Sequence, residues 1–321
     1  GGKTENRNYA LFFEGGYKLD SRWRISAGVR QTFEDKAFLP TSISLPSNTP
    51  LIDHKEEHLH FNEFTWRYSL QYYPASNASV YLTVSHGFKS GGFVHRYYEY
   101  SPDGLVTFEP EYVTQYELGY KLSSPDRGLY LTALGFYSDY RNIQTASNPL
   151  GRPATITDNA ARGHISGVEA EIVWSPLTAL TIEGAIGLLR TGYDQIGSGN
   201  VTVDLDDKFI RSPETSINLG LSYSFPWSNG AELEGRLDWV YRSNIEYEPD
   251  NDAHVSEDGY QVYDFNLVYH PPNAVWSLQL GVRNLTDERY MLAGDSNREF
   301  GYALAVFARP RNAWLTVSWE F

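Results

Sequence analysis

Apolar and polar residues alternate along this chain almost from end to end. In 63–73, Phe64, Trp66, Tyr68, Leu70 and Tyr72 oppose Glu63, Arg67, Ser69 and Gln71. In 231–242, Leu233, Leu237, Trp239 and Tyr241 oppose Glu232, Glu234, Arg236 and Asp238. A period of two marks a strand with one apolar and one polar face. The same reading predicts about thirteen strands. They fall at 9–19, 22–33, 63–73, 79–88, 112–122, 128–140, 164–174, 179–189, 215–225, 231–242, 260–270, 275–285 and 313–321. Leu131, Ala133, Leu134 and Phe136 leave 128–140 without a single apolar parity.

The connections alternate in length. "LDSR", "PASNA", "SSPDRG", "SPLTA", "PWSNG" and "HPPNAV" are short and rich in turn formers. Between them lie long connections at 34–62, 89–111, 141–163, 190–214, 243–259 and 286–312. Soluble sandwiches space their strands more evenly. Short turns at one end and long loops at the other suit a transmembrane barrel.

Charge sharpens this expectation. The polar parity carries Glu, Asp, Lys and Arg, so it is wet. The apolar parity then meets a packed core or lipid. A Lys or Arg on a lipid face costs about 2–4 kcal/mol at the midplane, enough to enforce the parity. Aromatics gather near the short turns: Trp23, Tyr72, Tyr73, Tyr81, Tyr120, Tyr130, Trp174, Phe225, Trp227, Tyr269, Trp276, Trp319 and Phe321. That pattern suits an interfacial girdle, with core packing in a soluble β protein as the alternative.

Composition adds exclusions. The 321 residues include 24 Tyr, 16 Phe and 8 Trp, but no run of apolar residues long enough for a membrane helix. The net charge of −14 argues against nucleic acid as a partner. Cysteine is absent, so disulfide and thiol chemistry are excluded. The opening "GGKTENRNYA" has no apolar signal segment, and a start partway through a longer protein is expected.

Six stretches carry a resemblance: "SHGFKSGGF" (85–93), "EPEYVTQYELGYK" (109–121), "ISGVEAEIVWSP" (165–176), "RSPETSINLGLSYSF" (211–225), "GVRNLTDERY" (281–290) and the terminal "WEF". In this order they resemble the barrel half of TonB-dependent outer-membrane receptors, over nearly the whole chain. The resemblance implies an all-β, antiparallel up-and-down transmembrane barrel. The 1–321 segment would be the C-terminal part of a 22-stranded barrel, its plug domain and first strands lying outside the sequence. It also implies import of a scarce nutrient, most often a ferric siderophore, with energy from TonB through the plug. Cobalamin and oligosaccharide remain open as substrates. The short turns and C-terminus would be periplasmic and the long loops extracellular. Leu315, Val317, Trp319 and Phe321 would form the insertion signal read by the barrel assembly machinery.

Ligand contacts are expected on the long loops. Lys89 and Arg96 could attract an anionic chelate, and Tyr97, Tyr98 and Tyr100 could pack its rings. Arg141, Arg152, Arg162 and Arg211 suit anionic ligands through bidentate contacts, or lipopolysaccharide phosphates, or neighbouring acids. Arg24, Arg30, Arg67, Arg236 and Arg283 fall on the polar parity and are expected to face the lumen and the plug. "GFKSGGF" reads as a rim motif without Walker spacing.

"DHKEEHLH" brings His54, His58 and His60 together, but with no fourth ligand in view; a solvated loop is expected. "DLDDK" (204–208) and "PDNDAH" (249–254) lack the glycine and distal Glu of an EF-hand. No metal site and no cofactor are expected. "GHISG" (163–167) has its Ser one place too late for a hydrolase elbow, and no catalytic constellation is evident. A passive porin is the rival transport reading, and a soluble carbohydrate-binding β protein the rival fold.

Overall fold

The computed structural model describes residues 2–41, 43–44, 49–50, 55–95, 105–147, 156–197, 203–272, 275–297 and 300–320. Thirteen strands form one antiparallel sheet, each paired with its sequence neighbours. They are β1 (Gly2–Lys18), β2 (Trp23–Pro40), β3 (Glu57–Ala75), β4 (Ala78–Lys89), β5 (Glu111–Ser124), β6 (Leu129–Ser147) and β7 (Ile156–Leu177). The sheet continues through β8 (Leu180–Ile196), β9 (Thr215–Pro226), β10 (Glu232–Arg242), β11 (Tyr260–His270), β12 (Trp276–Arg283) and β13 (Asn312–Trp319). Every expected strand is present.

Several run past their expected ends, and furthest toward the long connections: β3, β5 and β7 gain only two or three residues at their short turns. β1 begins at Gly2 rather than residue 9, and β7 at Ile156 rather than 164. The ladder continues there while the alternation fades. Lys3, Glu5 and Arg7 of β1 share the parity of Leu11 and Phe13. With polar residues on both faces, the pattern carries no amphipathic signal.

The apolar parity is open to the surroundings. Leu11 is 73% exposed, Phe13 71%, Leu315 66% and Val317 63%. The sheet does not fold this face onto itself, which removes the soluble-sandwich alternative. Register settles β6: Leu131 opposes Leu122 and Ile172, so Leu131, Ala133 and Tyr137 join the apolar face. Leu134 and Phe136 then lie on the charged face.

Aromatics cluster at both ends of the apolar face. Near the short turns, Trp23 meets Tyr72 with ring centroids 4.6 Å apart, and Tyr269 meets Trp276 at 6.3 Å. Near the long connections, Tyr9 stacks on Phe33 at 5.1 Å and Trp239 on Tyr263 at 6.5 Å. The expected girdle included three residues of the wrong parity. Tyr73, Tyr81 and Tyr130 lie on the charged face, because strand register, not proximity to a turn, sets the side.

Tyr81 shows why it sits there. It covers Gly119, where a Cβ would collide with its ring, and Lys121 Nζ stands 5.4 Å from the ring centroid. Trp314 covers Gly281 in the same way, with the Arg283 guanidinium 5.2 Å from its ring. Both joints lay an aromatic plane flat on a strand that has no side chain to obstruct it.

Candidate functional site

Arg24, Arg30, Arg67, Arg236 and Arg283 share the charged face. Arg236 has the densest network. It meets Glu183 of β8 at 2.6 Å and Asp238 at 2.7 Å, and donates to the Ser222 hydroxyl at 3.2 Å. Arg30 Nε donates to Thr32 Oγ1 at 3.1 Å. This face offers a field of fixed charges to whatever fills the interior.

The long-connection end begins with the "GFKSGGF" rim. Lys36 Nζ donates to the Gly91 carbonyl at 2.7 Å. Gly91 has no room for a Cβ, which would strike the Phe108 carbonyl and the Phe61 ring. Phe38 and Phe93 are buried together, their centroids 5.7 Å apart. Close approach of neighbouring segments therefore accounts for Gly91. Gln144 ties this rim to β6, donating to Ser90 O at 3.1 Å and Glu109 O at 2.9 Å.

A bulge interrupts β6 at Asn142, whose φ is 54°. It keeps Ile143 on the charged face, where Ile143, Ala161, Tyr193 and Val203 form a small core under Phe209. Asn accepts left-handed φ better than most residues.

Three later connections join into one body. Lys208 N donates to Asn251 Oδ1 at 2.7 Å, and Asn251 Nδ2 returns a bond to Lys208 O at 3.0 Å. Arg211, in the left-handed region, donates its N–H to Glu246 O at 2.8 Å. Met291 N donates to Glu257 at 2.6 Å, and Tyr247 Oη to Met291 O at 2.7 Å. Val255 is fully buried at the centre. Asp252 caps the short 3₁₀ turn Ala253–Val255 and accepts from Ser296 Oγ at 2.5 Å.

Burial pushes Glu248 up to about 7, with the nearby Asp295 and Asp250 acting in the same direction. Ser296 N donates to it at 3.3 Å. Burial also raises Glu246 and Asp207. Tyr260 stacks on Tyr290 at 4.2 Å beneath this body. The sequence reading had singled out Arg211, "DLDDK" and "PDNDAH" separately, but Glu246, Tyr247, Glu248, Val255, Tyr260, Tyr290 and Ser296 escaped it. Their signal was the clustering of Tyr and acids in "IEYEPDNDAH" and "ERYMLAGDS".

"GVRNLTDERY" is explained by a hydrogen-bond knot. Asn284, buried with φ 52°, donates through Nδ2 to Glu288 O at 2.8 Å and Arg309 O at 3.3 Å. Its Oδ1 accepts from Glu288 N at 2.7 Å. Asp287 accepts from Arg311 N at 2.7 Å, so the motif fastens the exit of β12 to the entry of β13.

The sequence-derived ligand candidates scatter. Lys89 ends β4 on the charged face. Arg141 and Arg162 project from the apolar face and converge on Asp139, away from the charged interior face. Arg96, Tyr97, Tyr98, Tyr100 and Arg152 lie outside the described residues, as do Phe321 and His54. His60 pairs with Asp35 at 2.5 Å and His58 lies 3.9 Å from Glu56. Among the described residues, no group of three His, Asp or Glu could hold a metal ion. The long-connection end thus offers aromatic planes, hydroxyls and charges for non-covalent binding.

Comparison with known proteins gives a consistent answer. A family model described as TonB dependent receptor-like, beta-barrel, matches residues 1–285. The ferric yersiniabactin uptake receptor FyuA from Yersinia pestis superposes with a TM-score of 0.83 at 19% identity, covering 100% of this chain and 46% of that one. The ferric-catecholate import receptor Fiu from E. coli K12 gives 0.74 at 16%, covering 98% and 44%. The copper transporter OprC gives 0.74 at 16%, covering 99% and 48%. The chain therefore spans a little under half the length of these solved proteins.

Proposed function

Because the chain belongs to the TonB-dependent receptor β-barrel family, we propose that it forms part of an outer-membrane receptor that imports a scarce nutrient chelate, most directly a ferric siderophore. The observation that supports this best is the sheet itself: thirteen antiparallel strands with one open apolar face and one charged face, over a chain matched to the family from residue 1 to 285. An apolar face of this kind suits lipid, and a charged one suits a filled, wet interior. In this reading the short turns are periplasmic and the long connections extracellular. Ligand is taken at the long-connection end by Lys89, Arg211 and the stacked Tyr260–Tyr290 pair, with Arg96, Tyr97, Tyr98, Tyr100 and Arg152 kept as further candidates from the sequence.

The charged-face arginines would dock a plug, whose carboxylates would complete networks like that of Arg236. Energy would reach the site from TonB through that plug. Ferric chelates are favoured because two of the three receptors compared carry them in their names; the third is named for copper.

The test is binding and conductance of the full-length receptor. Saturable binding of a ferric chelate, with a planar bilayer kept nearly silent, is the expected result. An open, non-selective conductance would replace the receptor reading with a porin. Induction under iron starvation would support ferric chelates, and unchanged abundance would move the substrate toward another nutrient.

A further inference from the structure

We infer that Arg141 and Arg162 form a docking site for the phosphate of a membrane-lipid headgroup, on the outer wall of the barrel. The inference rests on the membrane-barrel reading above, but not on the identity of the imported nutrient. Its first ground is direction. Asp139 and Arg141 share the parity of Leu131, Ala133 and Tyr137, and Asp139 opposes His164 across the ladder to β7. The bulge at Asn142 leaves Arg141 on that outward face while returning Ile143 to the opposite one. A chelate held inside the barrel cannot reach either guanidinium.

The second ground is charge. Arg141 Nε donates to Asp139 Oδ2 at 3.2 Å, and Arg162 donates to Asp139 Oδ1 through Nε at 3.2 Å and Nη2 at 3.0 Å. Two guanidiniums therefore share one carboxylate and leave a net positive charge. The Asp139 side chain is 15% exposed, whereas Arg141 is 66% and Arg162 44% exposed. The acid is the anchor, and the cations turn outward with Nη donors not used by it. Arg190, opposite Ser166 in register, adds a third cation on the same face, and Asp194, held 3.0 Å from His164, adds a second acid, so three guanidiniums face two carboxylates and the patch stays net positive.

This surplus is local, in a chain whose net charge is −14. On β1, Arg7 is balanced by Glu5 on the same face. The apolar faces of β9–β13 carry no charged residue within the paired ladder.

The third ground is height. Tyr137 on β6 marks the aromatic belt and stacks on His164 at 5.8 Å. Aromatic belts sit at the level of lipid headgroups. Arg141 lies four residues further along the strand, about 13 Å at ~3.3 Å per residue, and less in height because barrel strands tilt. The arginine pair therefore lies at or just beyond the headgroup layer. A fixed pair of guanidinium forks matches a phosphate's tetrahedral oxygens, and such pairs are the strong hydrogen bonds of recognition.

The experiment uses the full receptor in detergent and native mass spectrometry. The probes are a bis-phosphorylated glycolipid and the same lipid after enzymatic removal of its phosphates. Wild type is expected to retain the phosphorylated form preferentially. R141A/R162A should weaken that retention by about ten-fold or more, as expected for loss of two interfacial arginines. R141K/R162K should fall between, keeping charge without the fork, while R7A should match wild type. Heat-modifiable electrophoretic mobility checks that each variant is folded.

Equal retention of both lipids by wild type, or an undiminished preference in folded R141A/R162A, would overturn the inference. So would displacement of the lipid by millimolar inorganic phosphate alone, which would make the site a general anion site. Ferric-chelate binding, measured on the same samples, is expected to be unchanged in R141A/R162A. If chelate binding is absent from wild type while the lipid preference persists, the transport reading fails and this inference stands.

Discussion

β6–β8 and β10–β13 reach the long-connection end by different means. The first three are 19, 22 and 17 residues long and simply continue as a ladder beyond the apolar band. The last four are 11, 11, 8 and 8 residues and stop early. Above them the chain folds into a loop body centred on Val255. A ladder satisfies each backbone N–H and C=O with a neighbouring strand, whatever the side chains. A folded loop must satisfy them one by one, with chosen side chains. Glu257, Tyr247, Asp252, Asn251 and Asn284 are those side chains here. The extended strands are therefore tolerant of sequence, and the loop body is not.

The largest effect should come from Val255→Asp. A carboxylate at a fully buried position without a partner should cost more than about 3 kcal/mol of loop docking. Hydrogen exchange is the measurement. Amides in Tyr247–Glu257 and Met291–Asn297 should lose protection, while those of β6–β8 keep theirs. Faster exchange across β6–β8 as well would mean that the two regions are one cooperative unit and would break the comparison.

Next in size is Asn284→Ala. It removes two donated bonds and one accepted bond from a buried side chain, and places Ala at φ 52°. A loss of roughly 2–3 kcal/mol is expected, read as a lower thermal midpoint of the β12–β13 region. Asn142→Gly makes the matching change on the ladder side. Its φ of 54° suits Gly, and the ladder carries the backbone bonds, so stability should hardly move. Comparable losses for the two would remove the distinction.

The same difference explains what could be read in advance. All thirteen strands were legible because a half-apolar face forces alternation: β9 and β11 are found nearly to the residue. The upper parts of β1 and β7 were not, since Lys3, Glu5 and Arg7 are polar on a face already clear of the apolar band. Tyr73, Tyr81 and Tyr130 show that an aromatic near a turn gives no side without the register. The Arg141–Asp139–Arg162 set was invisible as a set, because its members are joined only by β6–β7 pairing, and the Asn142 bulge that turns Ile143 to the opposite face leaves no mark in the alternation. The loop body was invisible because its bonds link residues 34–48 positions apart. "GVRNLTDERY" was recognisable as a motif, but its reason, the Asn284 knot, needed coordinates.

pH should separate the regions more gently. Glu248 holds its proton up to about 7 in the docked loops, against an ordinary value of 4.5 when solvated. The docked state therefore binds more protons than the open one between those values, and docking weakens as pH rises through that window. Below it both states are protonated, and above it the penalty is constant. Solvent access to this half-buried group limits the effect to about 1–2 kcal/mol. Limited proteolysis within 243–259 should be slower at pH 5 than at pH 8, with no such slope for cleavage near 156–163. Glu248→Gln should abolish the slope; a slope that survives assigns it to another group.

The smallest effect belongs to the extended strands themselves. Arg7 and Glu5 form a 2.5 Å pair on β1, with side chains 76% and 43% exposed. Both groups are open to solvent, where water and salt screen the attraction and ordering two long side chains opposes it. Their strand is meanwhile held by seventeen residue pairings with β2 from Gly2↔Pro40 to Lys18↔Arg24, none of which needs that ion pair. Arg7→Ala should leave thermal stability and hydrogen exchange of β1 unchanged within error at both low and high salt. A salt-sensitive loss of β1 protection would mean that the ladder beyond the apolar band depends on its side chains after all, and the contrast with the loop body would shrink to one of degree.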